Sequence, residues 1–82
     1  MPMNRDDVLF KHILMCQKKY NKPDMHSFTI AVNGGVAFVE CRQHEVLCIV
    51  DINGVRDSFA SSAVAVCNRL VMLGADIDTI SV

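Results

Sequence analysis

The sequence predicts a single α+β domain of order α-β-β-β-α-β, an antiparallel meander sheet of three to four strands with helices packed on one face. Three observations predict it. Apolar residues recur at helical spacing near both ends of the chain, the middle alternates apolar and polar residues, and polar or Gly-containing turns punctuate that alternation. With 82 residues there is room for one core, so residues 1–82 form one domain.

The first helix is expected over residues 5–20. Asn4 is placed to cap it, and Asp6 and Asp7 fall in its first turn, where negative charge complements the helix dipole. At about 100° per residue, Leu9, Phe10, Ile13, Cys16, Gln17 and Tyr20 gather on one face, away from Lys11, Met15, Lys18 and Lys19. Pro23 disfavours helical geometry in Lys22 and ends the segment.

Three strands follow. Asn33-Gly34-Gly35 supplies the positive φ angles of a tight hairpin between 27–32 and 36–42, and Arg42-Gln43-His44-Glu45 is a polar turn into 46–52. Two-residue loops at both turns place Phe28, Ile30 and Val32 on one face with Ala37, Val39, Cys41, Val46, Cys48 and Val50. That face is wholly apolar, as a core face must be.

Asn53-Gly54 marks another turn, after which Asp57 or Ser58 caps a second helix running to about Leu73. Its inward stripe is Phe59, Ala63, Val66, Cys67, Leu70 and Leu73, and Gly74 stands where a left-handed cap belongs. The β-branched tail 75–82 adds a short last strand.

Eight basic against nine acidic residues leave a net charge of −1, without the field that draws duplex nucleic acid. Residues 1–22 are the exception, with Arg5, Lys11, Lys18, Lys19 and Lys22 against Asp6 and Asp7, a net of +3 that leaves −4 for the rest. The N-terminal residues lack a signal-peptide pattern, and the longest apolar stretches are too short to span a membrane. Cys16, Cys41, Cys48 and Cys67 each lie within an apolar periodic stretch and form no C-x-x-C, which points to reduced, buried thiols and a cytoplasmic setting.

Chemistry-bearing constellations are sparse. Cys41-x-x-His44-x-x-x-Cys48 has thiolate and imidazole groups that zinc favours, but no fourth ligand at a local spacing, and the strand register turns both cysteines into the core, so no metal is expected. Asp51-Ile52-Asn53-Gly54 lacks the later acidic residues of a calcium loop. Gly34-Gly35 precedes no helix and is too short to cradle phosphate. No Ser or Cys stands in a recognisable nucleophile motif, so neither a catalytic residue nor a cofactor is expected.

The α-β-β-β-α order resembles the topology of double-stranded RNA-binding domains, in which a lysine-rich start to the second helix grips phosphates. The corresponding stretch here, Ser58-Phe59-Ala60-Ser61-Ser62-Ala63, holds no basic residue. A nucleic-acid site would therefore use Lys11, Lys18, Lys19 and Lys22 of the first helix and its exit, which is the second functional reading.

The first reading rests on the outward sheet face. Ala31, Val36, Phe38, Leu47 and Ile49 form an apolar centre there, with Glu40 and Arg42 on its rim beside Thr29, Glu45 and Asp51. An apolar centre in a polar rim is the anatomy of a protein interface. Unless a helix covers this face, the chain is expected to be a non-catalytic protein-binding module, with a homodimer as one possible assembly. In size and character it is similar to small inhibitors and adaptors of phages and mobile elements, including anti-defence proteins such as anti-CRISPRs, a likeness of style and not of motif.

Overall fold

The computed structural model describes residues 5–81. Seven elements follow one another: α1 (Arg5–Lys18), β1 (Ser27–Val32), β2 (Gly35–Cys41), β3 (Val46–Ile52), β4 (Val55–Ser61), α2 (Ala63–Met72) and β5 (Asp76–Ser81). The sheet has five strands in the order β4-β3-β2-β1-β5, and every pairing is antiparallel. This corrects the expected three- to four-stranded meander and the α-β-β-β-α-β order. It also departs from the RNA-binding-domain topology, because four strands separate the helices.

The correction comes from one turn. Asn53 and Gly54 both adopt positive φ, 53° and 81°, the combination of a type I′ hairpin, so the chain folds straight back into β4 instead of entering a helix. Pairing then runs from Ile52↔Val55 to Val46↔Ser61 without interruption. Helix α2 starts later, after Ser62, whose hydroxyl accepts the Ala65 N–H at 3.2 Å; Asp57 and Ser58 lie in β4 and cap nothing. The helix closes as a Schellman motif: Gly74 has φ 77°, its N–H donates to Val71 O, and the Ala75 N–H donates to Leu70 O. Helix α1 ends at Lys18, before Tyr20, which is exposed. The assigned cap Asn4 lies outside the described residues.

Between β1, β2 and β3 the pairing is Phe28↔Val39, Ile30↔Ala37, Ala37↔Val50, Val39↔Cys48 and Cys41↔Val46. These residues are buried on one face together with Leu9, Ile13 and Cys16 of α1 and Ala63, Val66, Cys67 and Leu70 of α2. Each fully buried Leu, Ile or Phe contributes about 1.5–3 kcal/mol by leaving water. Both helices spend their apolar stripes on this one face, so none is left to cover the other side of the sheet.

The outer strands differ from the central three. In β5 the register slips between Thr29↔Ser81 and Ala31↔Asp76, and the Ala31 N–H donates to the Thr79 hydroxyl at 2.9 Å. Ile77 and Ile80 nevertheless pack against the core. The Leu73 carbonyl accepts the Asn33 N–H at 2.9 Å, fastening the end of α2 to the β1–β2 turn.

Candidate functional site: the open sheet face

The two-residue turns at Asn33-Gly34, Gln43-His44 and Asn53-Gly54 set the register and thereby order the open face into rows. Thr29, Phe38, Ile49 and Ser58 stand opposite one another across β1 to β4. On one side of that row lie Ala31, Val36, Asp51 and Arg56; on the other lie Ser27, Glu40, Leu47 and Ala60. The apolar centre read from the sequence is thus contiguous. Phe38 and Ile49 are direct cross-strand partners, a pairing that fixes both side chains on the pleated surface.

Val36 is 46% exposed and Phe38 36% exposed, while Ala31, Leu47 and Ile49 are half-buried by their neighbours in the sheet. The rim charges hold one another. Glu40 accepts from Arg42 Nε at 3.1 Å and Nη2 at 3.0 Å, Arg42 Nη1 reaches Glu45 Oε1 at 3.4 Å, and His26 Nε2 lies 3.7 Å from Glu40 Oε1. At the opposite end Arg56 Nη2 stands 4.0 Å from Asp51 Oδ2. Exposed pairs of this kind add little stability, but they fix where charge sits around the apolar patch.

Sequence reasoning missed His26, Arg56, Ser58 and Ala60 on this face. The sequence pattern puts Ser58 and Ala60 at the start of a helix and Arg56 in the turn before it, and the hairpin signal of Asn53-Gly54 could have restored all three to a strand. His26 precedes β1 and is brought to Glu40 by the strand pairing Ser27↔Glu40.

The basic residues are elsewhere. Lys11 and Lys18 are exposed on α1, seven residues and therefore nearly two turns apart, on the side of the helix away from Leu9, Ile13 and Cys16. Lys19 and Lys22 follow in the turns leading to β1. None of the four lies on a strand of the open face.

All four cysteines are buried, and none is in a disulfide. Burial pushes the Cys41 thiol up to about 12, helped by the neighbouring Cys16 thiol, and burial pushes Cys48 to about 11 against the opposing effect of Arg69. Cys41 Sγ donates to Ile13 O at 3.7 Å, tying β2 to α1. Such thiols stay protonated at neutral pH and pack as small apolar groups. His44 is exposed in the β2–β3 turn, apart from both core cysteines, and no three His, Cys, Asp or Glu residues gather as metal ligands among the described residues. No helix of the described residues is long and apolar enough to cross a membrane.

Comparison with protein families, with characterised proteins and with solved structures finds no match to the chain.

Proposed function

We propose that this chain is a non-catalytic protein-binding module, an inhibitor or adaptor that acts in a reducing compartment such as the cytoplasm by applying its open sheet face to a partner protein. One observation carries the reading: both helices pack on the same side of a five-stranded sheet, and the other side presents Val36 and Phe38 to solvent inside a frame of paired charges. Desolvating such a centre drives association, and the charged frame orients the partner. The contributing residues are Ala31, Val36, Phe38, Leu47 and Ile49, with Glu40 and Arg42 at the rim. Four buried thiols, none of them in a disulfide, support the reducing compartment.

The test starts from a protein captured from the native cell, which is then purified and titrated against three forms of this chain. Phe38→Asp is expected to weaken binding about tenfold or more, because a carboxylate at the centre resists desolvation. Lys18→Glu with Lys19→Glu is expected to leave binding unchanged, and affinity should depend only weakly on salt. Loss of binding in the lysine variant, with a steep salt dependence, would instead establish the basic helix as the site, as phosphate contacts require.

A further inference from the structure

The two edges of the sheet are built differently. The β5 edge is irregular: its pairing slips, the Asp78 N–H is taken by Asp76 Oδ1, and the Thr79 hydroxyl both donates to Asp76 O and accepts from Ala31 N–H. The β4 edge is regular, with seven consecutive pairs and no register shift, has neither proline nor lysine, and exposes Val55 at 68%. Edges that avoid pairing usually carry bulges, proline or charge; β4 has neither bulge nor proline, and its charges are one of each sign, Arg56 and Asp57, which a second strand can complement.

Which backbone groups of β4 face outward follows from the ladder. The bonds Arg42 N–H to Glu45 O and Asn53 N–H to Gly34 O show that even-numbered residues of β2 bond odd-numbered residues of β3. Hydrogen-bonded pairs alternate in antiparallel sheets, so the even residues of β3 bond Val55, Asp57, Phe59 and Ser61. Arg56, Ser58 and Ala60 therefore direct their N–H and C=O groups away from the sheet. The outward N–H of Ser58 finds only the carboxylate of Asp57, at 3.1 Å.

Beside this edge, on the helix side, a groove of about 460 Å³ runs between β4 and α2, lined by Val55, Asp57, Phe59, Arg69 and Leu73 among others. The Arg69 guanidinium lies over the Phe59 ring, 5.0 Å from its centroid. Arg69 and Asp57 both border the groove, both are exposed, and neither makes an ion pair within the chain among the described residues.

We infer that the occupant of this edge is a second copy of the chain, with β4 pairing antiparallel to β4 about a twofold axis through Ser58. In that register Ser58 meets Ser58 and Arg56 meets Ala60, so all outward N–H and C=O groups are used. Asp57 then stands opposite Phe59 of the partner, beneath the partner's Arg69, and the same contact recurs on the other side of the axis, as an isologous interface requires. An axis at Ala60 leaves most of β4 unpaired, and the nearer registers that keep like faces together fail on charge. An axis at Asp57 opposes two carboxylates, one at Arg56 opposes two guanidinium groups, and one at Phe59 brings the two Arg69 side chains together. The product is a ten-stranded sheet, twice five, with its open faces on one side and both free for partners. This inference does not rest on the proposed function.

Sedimentation equilibrium over a range of concentrations tests it, with circular dichroism verifying that each variant is folded. The wild type is expected to be a dimer at about 100 µM, and Asp57→Arg or Arg69→Glu alone to weaken the dimer about tenfold or more, since each places like charges together. The double variant restores the affinity by reversing the pair. Ser58→Pro gives an independent check: it removes an N–H that bonds no residue of β3, so a folded monomer is expected. A monomeric wild type overturns the inference, as does a dimer that ignores all of these substitutions or that Phe38→Asp alone dissolves.

Discussion

Phe38 and Val39 are consecutive residues of one strand, yet they live in different solvents. Val39 is fully buried between Phe28 and Cys48 on the helix side of the sheet, while Phe38, between Thr29 and Ile49, keeps 36% of its surface in water. The same contrast runs across the whole sheet. Its helix side is uniformly apolar along β1, β2 and β3, and its open side is apolar only at the centre. A sheet that needed only to be stable would make the second side polar throughout. The difference separates two tasks: one face holds the chain together, and the other is available for another molecule.

The sharpest way to break this contrast is to place a charge on the folding face. Val39→Asp strands a carboxylate where no partner exists, at a cost on the order of the entire stability of a small domain, about 5 kcal/mol or more. It is expected to show no cooperative unfolding transition at 25 °C by circular dichroism or urea titration. A native-like melt would mean that the two faces are less distinct than the packing implies.

A smaller effect is expected where α2 meets the core. Leu70→Ala should destabilise the chain by about 2–5 kcal/mol in urea unfolding, the range for emptying a buried leucine site. A change below about 0.5 kcal/mol, the size of an ordinary surface substitution, would remove α2 from the folding face.

The smallest effect concerns pH. His12 packs edge-on against Phe28 with ring centroids 4.6 Å apart, and among the described residues its buried Nε2 has no hydrogen-bond partner. Burial, and secondarily Lys19, lowers its pKa below the ordinary 6.5. The unfolded chain therefore takes up a proton before the folded one does, and stability falls as pH drops below about 6.5 until the lower folded value is passed. Urea unfolding at pH 7.5 and pH 5 should show that fall, and His12→Leu should reduce it. An unchanged pH dependence in the variant would place its origin in other groups.

How much of this was legible in the sequence depends on how strongly each strand is buried. β1, β2 and β3 declared themselves because Phe28, Ile30, Val32, Ala37, Val39, Cys41, Val46, Cys48 and Val50 can share one face in only one register. β4 did not, because an edge strand has one neighbour and half a cover. Val55-Arg56-Asp57-Ser58-Phe59-Ala60-Ser61 has too few apolar residues to alternate visibly, and Asp57, Ser58 and Phe59 imitate the capped start of a helix. A local signal opposes that imitation: Asn53-Gly54 repeats the turn residues of Asn33-Gly34, and two-residue turns at 33–34, 43–44 and 53–54 keep one ten-residue spacing. β5 was only partly legible, since its bulge sets Ile77 and Ile80 three apart and breaks the strand period. The centre of the open face followed from the register, whereas Arg56, Ser58 and Ala60 were lost with β4.

The central claim, that the open face is not needed for folding, is tested most directly by the thermal unfolding of Phe38→Asp beside that of the wild type. Phe38 loses cross-strand contact with Thr29 and Ile49, worth about 1 kcal/mol, so the midpoint should fall by less than about 10 °C with the transition still cooperative. Loss of the cooperative transition, as expected for Val39→Asp, would show that Phe38 belongs to the core and would contradict the separation of a folding face from a binding face.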